Sequence, residues 1–144
     1  MSRQFYGVIG FSMLAATILT GLYGISVYSM AAAGIYLAGC VMVLIAFIYA
    51  YCIKCPIRDR CVHIVMGLMT RMMPDRPARP YTRWELAVVI AFFGFVVLFL
   101  QYWLIRSPAV MLVFWVLFIG GSVLNHYTLC NGCGNRFCRL RYEK

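Results

Sequence analysis

Six of the seven cysteines fall in two stretches that share one pattern. Cys52-Ile53-Lys54-Cys55 is followed by Cys61 and His63, and Cys130-Asn131-Gly132-Cys133 is followed by Cys138. Cys52 to Cys130, Cys55 to Cys133 and Arg58 to Arg136 are each 78 residues apart, and Cys61 to Cys138 is 77. A C-x2-C turn offers two thiolates to one metal without strain, and both zinc and iron–sulfur sites use it. One such pair is weak as a signal. Two pairs in register, each with a third cysteine downstream, are stronger. Juxtamembrane cysteines that carry palmitate are the plain alternative, but palmitoylation requires no matched spacing.

The ligand set Cys52, Cys55, Cys61, Cys130, Cys133 and Cys138, with His63 and His126 as further candidates, allows three arrangements. Each stretch can hold its own metal with three thiolates and one imidazole; His126 stands one helical turn before Cys130, so a continuing helix puts both on one face. Alternatively, Cys52, Cys55, Cys130 and Cys133 close one all-thiolate site. In the third arrangement one cluster draws on both stretches and the remaining thiols do redox chemistry. Each histidine has an equally plain reading as an interfacial hydrogen-bonding residue. Cys40 lies inside an apolar run and reads as a small buried hydrophobe. Met66, Met69, Met72 and Met73 would suit Cu(I), but their spacing is that of an apolar helix face.

Cys133-Gly134 resembles the C-x2-C-G knuckle of zinc ribbons, and Cys55-Pro56 resembles the Cys-Pro step of ferredoxins, although the full bacterial ferredoxin run is absent. Neither resemblance extends beyond one stretch. Lys54 and the nearby arginines would offset the charge of either type of thiolate site. Six thiolates suit an electron-carrying centre better than a staple, because membrane helices already satisfy their own backbones. The expectation is an iron–sulfur cluster, with zinc as the alternative.

The elements that must position these stretches are membrane spans. The chain is 64% hydrophobic and 12% charged, against about 25% charged in an ordinary soluble domain. No charge occurs in the 50 residues between Arg3 and Lys54, nor between Glu85 and Arg106 or between Arg106 and Arg136. At about 20 apolar residues per span, these gaps hold two, one and one helices, expected near 5–28, 31–51, 84–105 and 109–127. The first apolar run is too long for the core of a signal peptide, so the first helix is expected to be retained from residue 1. His63 to Met73 reads as a short interfacial helix, and Pro74 to Pro80 as an extended linker.

The fold class is therefore an all-α integral membrane protein: four transmembrane helices as a tandem repeat of two helical hairpins, each followed by a cysteine loop. Residues 1–73 form the first repeat, 74–83 the linker and 84–144 the second repeat. Two helices per unit give both units the same direction. Small residues at Ser12, Ala16, Thr20 and Gly24, and at Gly34 and Ala38, are expected to bring helices close. Ser107 and Pro108 should open the last span, and Gln101 should hydrogen-bond across the bundle. With the N-terminus inside, twelve of the thirteen basic residues lie on the inner side and Arg106 alone on the outer. That bias places both termini and the cysteine loops in the cytoplasm, where thiols stay reduced.

The net charge of +9 then reflects topology, and no nucleic acid is expected as a partner. No Ser/His/Asp set, phosphate-binding glycine loop or paired carboxylates occur. The acids are Asp59, Asp75, Glu85 and Glu143, none deep in a span, which argues against a pump or transporter. Haem between opposing helices is poorly served by two edge histidines. The expectation is a small non-catalytic subunit of a membrane redox complex, in an accessory or electron-transfer role. It would dock other subunits of the complex and a soluble electron carrier. A zinc-stabilised scaffold is the first alternative. A membrane thiol–disulfide oxidoreductase is the second; such enzymes pair C-x2-C with a helix end, but their thiols belong on the oxidising side. Palmitoyltransferases carry Asp-His-His-Cys, which this chain lacks.

Overall fold

A computed structural model describes residues 3–56, 64–74, 77, 79–130, 135 and 137. Among these residues five α-helices follow in order: α1 Arg3–Ser26, α2 Met30–Phe47, α3 Ile64–Arg71, α4 Arg83–Leu104 and α5 Pro108–Asn125. α2 and α5 each run on into a five-residue π-helical turn, Ile48–Cys52 and His126–Cys130. No strand occurs among the described residues. Four segments are long and apolar enough to cross a membrane: Phe5–Ser26, Met30–Cys52, Arg83–Leu104 and Pro108–Thr128. They are the mark of a multi-pass membrane protein whose apolar helix faces suit a lipid bilayer. The sequence expectations match them to within a few residues.

The helix starts follow from side-chain chemistry. Ser29 accepts from the Ala32 N–H at 3.2 Å and so caps α2. Thr82 and Glu85 make a reciprocal capping box: Glu85 N–H donates to Thr82 Oγ1 at 3.3 Å, and Thr82 N–H to Glu85 Oε2 at 3.0 Å. Two otherwise orphan N–H groups of α4 are thereby satisfied. Pro108 opens α5 as expected, where its fixed φ and missing N–H cost nothing. Ser107, expected to cap α5, makes no side-chain cap bond.

α1 is the central helix. It lies along α5 and against α2, while α4 packs on α2 and touches α1. The fully buried core, Ile25, Ala32, Ala33, Tyr36, Leu100, Leu104 and Phe114, sits towards the two tight turns. The close-packing face of α1 coincides with the expected stripe only at Gly24; Ala16 and Thr20 are half-buried. Gly7, Gly10, Thr17, Gly21 and Gly24 are buried, whereas Ser12 is exposed. A Cβ built on Gly10 would fall on the Asn125 side chain, and one on Gly24 on Leu104. On α2 the buried small residues are Ala32 and Ala33; a Cβ built on Gly34 would meet nothing within 4 Å, and Ala38 is exposed. A four-residue recurrence drifts around a 3.6-residue helix, so a strict i, i+4 stripe cannot stay on one face as the mixed 3- and 4-residue spacing does. Gln101 bonds across the hairpin as expected, its Oε1 accepting from Trp115 Nε1 at 3.2 Å.

The two tight turns meet at one end, where Tyr28 Oη donates to the Arg106 carbonyl at 3.4 Å. Tyr51, Tyr81 and Asn135 meet at the other.

Candidate metal-binding end of the bundle

The first cysteine stretch grows directly out of α2. The π turn closes with Ile53 N–H donating to Ile48 O at 3.0 Å, five residues back. One extra residue in a turn re-aims everything beyond it, and such π turns recur at functional sites. Next, Cys55 N–H donates to Cys52 O at 3.2 Å, with Ile53 in right-handed helical geometry. Cys52 and Cys55 therefore stand at the two ends of one tight turn, both half-buried. A pair of thiolates is presented this way in C-x2-C sites.

Lys54 lies between them, yet its side chain is fully buried and its Nζ forms an ion pair with Glu85. Arg79 Nη2 stands 4.0 Å from the same carboxylate. Glu85 thus serves twice, capping α4 and fixing the cysteine turn against the start of that helix. The pair with Glu85 was not expected for Lys54 and anchors the residue between the two cysteines.

A second tie reaches the other stretch. The Tyr51 ring stacks on Phe47, with centroids 5.2 Å apart, and lies 4.6 Å from the Tyr81 ring. Tyr81 Oη accepts from Asn135 Nδ2 at 2.7 Å. Asn135 is buried, and its Oδ1 accepts from Phe137 N–H at 3.0 Å. Asn135 comes two residues after Cys133, and Tyr51 directly precedes Cys52. Tyr81 is therefore a strut between the segments that carry the two sets of cysteines.

The predicted ligands stand as follows. Cys52 and Cys55 share the turn just described. His126 opens the second π turn and packs edge-on against Tyr127 at 5.6 Å, while Cys130 closes that turn. The intervening Thr128 ties its hydroxyl to Leu124 O at 2.5 Å. Cys61, His63, Cys133 and Cys138 lie outside the described residues. Among the described residues, no three His, Cys, Asp or Glu side chains gather into a metal-sized group. Cys40 packs half-buried against the core, as expected of an apolar thiol.

The ion pair and the tyrosine strut were not anticipated from the sequence. Thr82-x-x-Glu85 carried a readable capping signal. Nothing local, however, links Lys54 to a carboxylate 31 residues on. Compared with known proteins, the chain matches no family model, no curated protein and no solved structure.

Proposed function

We propose that the chain is a small membrane subunit holding an iron–sulfur centre at the cytoplasmic face and passing electrons within a membrane redox complex. The proposed ligands are Cys52, Cys55, Cys61, Cys130, Cys133 and Cys138, with His63 and His126 as lesser candidates. Two helical hairpins in tandem carry them, each ending in a cysteine loop on the same side of the membrane. The reading rests on the Cys52–Cys55 turn, closed by Cys55 N–H on Cys52 O at 3.2 Å at the end of a span; C-x2-C spacing of this kind serves zinc and iron–sulfur sites. The matching π turns support the duplication: Ile48–Cys52 and His126–Cys130 are 78 residues apart, the same offset as the cysteines. The Tyr51–Tyr81–Asn135 strut supports a common face for the two stretches.

When bound, the cluster supplies one-electron oxidation and reduction. The chain's own residues fix the turn, through Lys54 and Glu85, and keep the second stretch beside it, through Tyr81. The basic residues near both stretches, Arg58 and Arg60 in one and Arg136 and Arg139 in the other, suit docking of an acidic soluble carrier.

The test is anaerobic purification followed by analysis for iron, acid-labile sulfide and zinc. The reading expects brown protein with iron and sulfide in equal amounts. Zinc without iron would instead establish the scaffold, and metal-free protein from metal-replete cells would reject both.

A further inference from the structure

Among the described residues, the end of the bundle away from the cysteines carries a single charged side chain, Arg106, between α4 and α5. Three aromatic rings surround its guanidinium. Its central carbon lies 5.6 Å from the centroid of Tyr28, 5.7 Å from that of Tyr102 and 5.7 Å from that of Trp103. All three are within cation–π range. The rings brace one another: Tyr28 stacks on Trp103 at 6.5 Å, and Tyr102 meets Trp103 edge-on at 5.4 Å. Tyr28 also holds the Arg106 backbone through its hydroxyl. The side chain is thus positioned by both hairpins at once.

A guanidinium carries five N–H donors besides its charge, and the Arg106 side chain is exposed. The helices and tight turns contain one acid, Glu85. It is paired with Lys54 at the far end of α4, about 30 Å away at 1.5 Å per residue. An exposed guanidinium therefore stands at the membrane edge with no carboxylate near it among the described residues, since the one acid of α4 lies at the opposite end of that helix. The first N–H groups of α5, on Ala109 and Val110, have no acceptor within the helix, and Ser107 does not cap them. They add dipolar attraction for an anion at the same edge.

We propose that Arg106, braced by Tyr28, Tyr102 and Trp103, is a binding site for the phosphate of an anionic phospholipid in the leaflet at the turn end. The guanidinium fork matches phosphate in a two-pronged hydrogen bond, while the exposed flanks of Tyr28 and Tyr102 cover the upper acyl chains. The site is independent of any metal at the other end.

The test uses full-length protein in nanodiscs with Trp84→Phe and Trp115→Phe, so that Trp103 is the sole indole. Acyl-brominated phosphatidylglycerol or phosphatidylcholine is the quencher. Phosphatidylglycerol should quench several-fold more effectively at equal mole fraction. Arg106→Gln should abolish that preference, and Arg106→Lys should keep part of it. Soluble glycerol phosphate should not compete; if it restored the fluorescence, the site would belong to a free phosphate and the lipid assignment would fall. Equal quenching by the two lipids, or a preference that survives Arg106→Gln, would also overturn it. Should Arg106→Gln fail to fold, the two-lipid comparison and its loss at high salt in the parent protein decide the matter.

Discussion

At the scale of single residues, Lys54 and Glu85 matter more than their number suggests. Lys54 is wholly buried, and removing the charge of Glu85 would break a buried ion pair, a cost of about 3–5 kcal/mol. Glu85→Gln keeps the capping box, since glutamine serves at that position, and removes only the charge. It should therefore destabilise the protein by about 3 kcal/mol, while Lys54→Met added to it should restore most of the loss. Thermal or denaturant unfolding in detergent checks this; a double variant no better than the single would show that the pair is not the cause. Tyr81 is tested differently. Tyr81→Phe keeps the ring on Tyr51 but removes the acceptor for Asn135, a loss of about 1 kcal/mol. Asn135→Ala should weaken the protein similarly, and the two changes together should cost less than their sum. Additive losses would mean that the hydrogen bond does not join the two segments.

At the scale of elements, the close approach of α1 and α5 depends on glycines that the sequence pattern did not single out. A Cβ on Gly121 would lie 3.1 Å from Met13 Cβ and 3.4 Å from the Gly10 carbonyl. Neither neighbour can swing aside. Gly121→Leu should part the helices and cost about 1–3 kcal/mol, as overpacking does. Gly34→Leu, on an open face, should leave the melting temperature of the single chain unchanged. Equal effects at both positions would contradict the packing described. Spans, turns and the Pro108 start were legible because they follow from apolar length, charge gaps and backbone chemistry. Which face of each span turns inward was not. Every face of a membrane helix is apolar, so the pattern of Ser12, Ala16, Thr20 and Gly24 offered no contrast with Gly10, Thr17 and Gly21. The π turns were also invisible: an inserted residue changes hydrogen-bond register without changing composition. The paired cysteines were plain in the sequence, but the strut from Tyr51 through Tyr81 to Asn135 was not, because it joins residues brought together only by the fold.

At the scale of the molecule, the charge distribution proposes an orientation, with the cysteine end in the cytoplasm and Arg106 outside. A membrane-impermeant maleimide applied to intact cells should label Ser107→Cys and leave the parent protein, with all seven native cysteines, unlabelled. Labelling of the parent protein instead would reverse the topology and revive thiol–disulfide chemistry on the oxidising side. The central claim is that the two cysteine stretches hold a redox-active cluster. Low-temperature electron paramagnetic resonance of anaerobically purified, dithionite-reduced protein tests it most directly. A signal that appears on reduction and is lost in Cys55→Ser and in Cys133→Ser is the predicted result; reduced, iron-replete protein without any signal, or a signal indifferent to both substitutions, would contradict it.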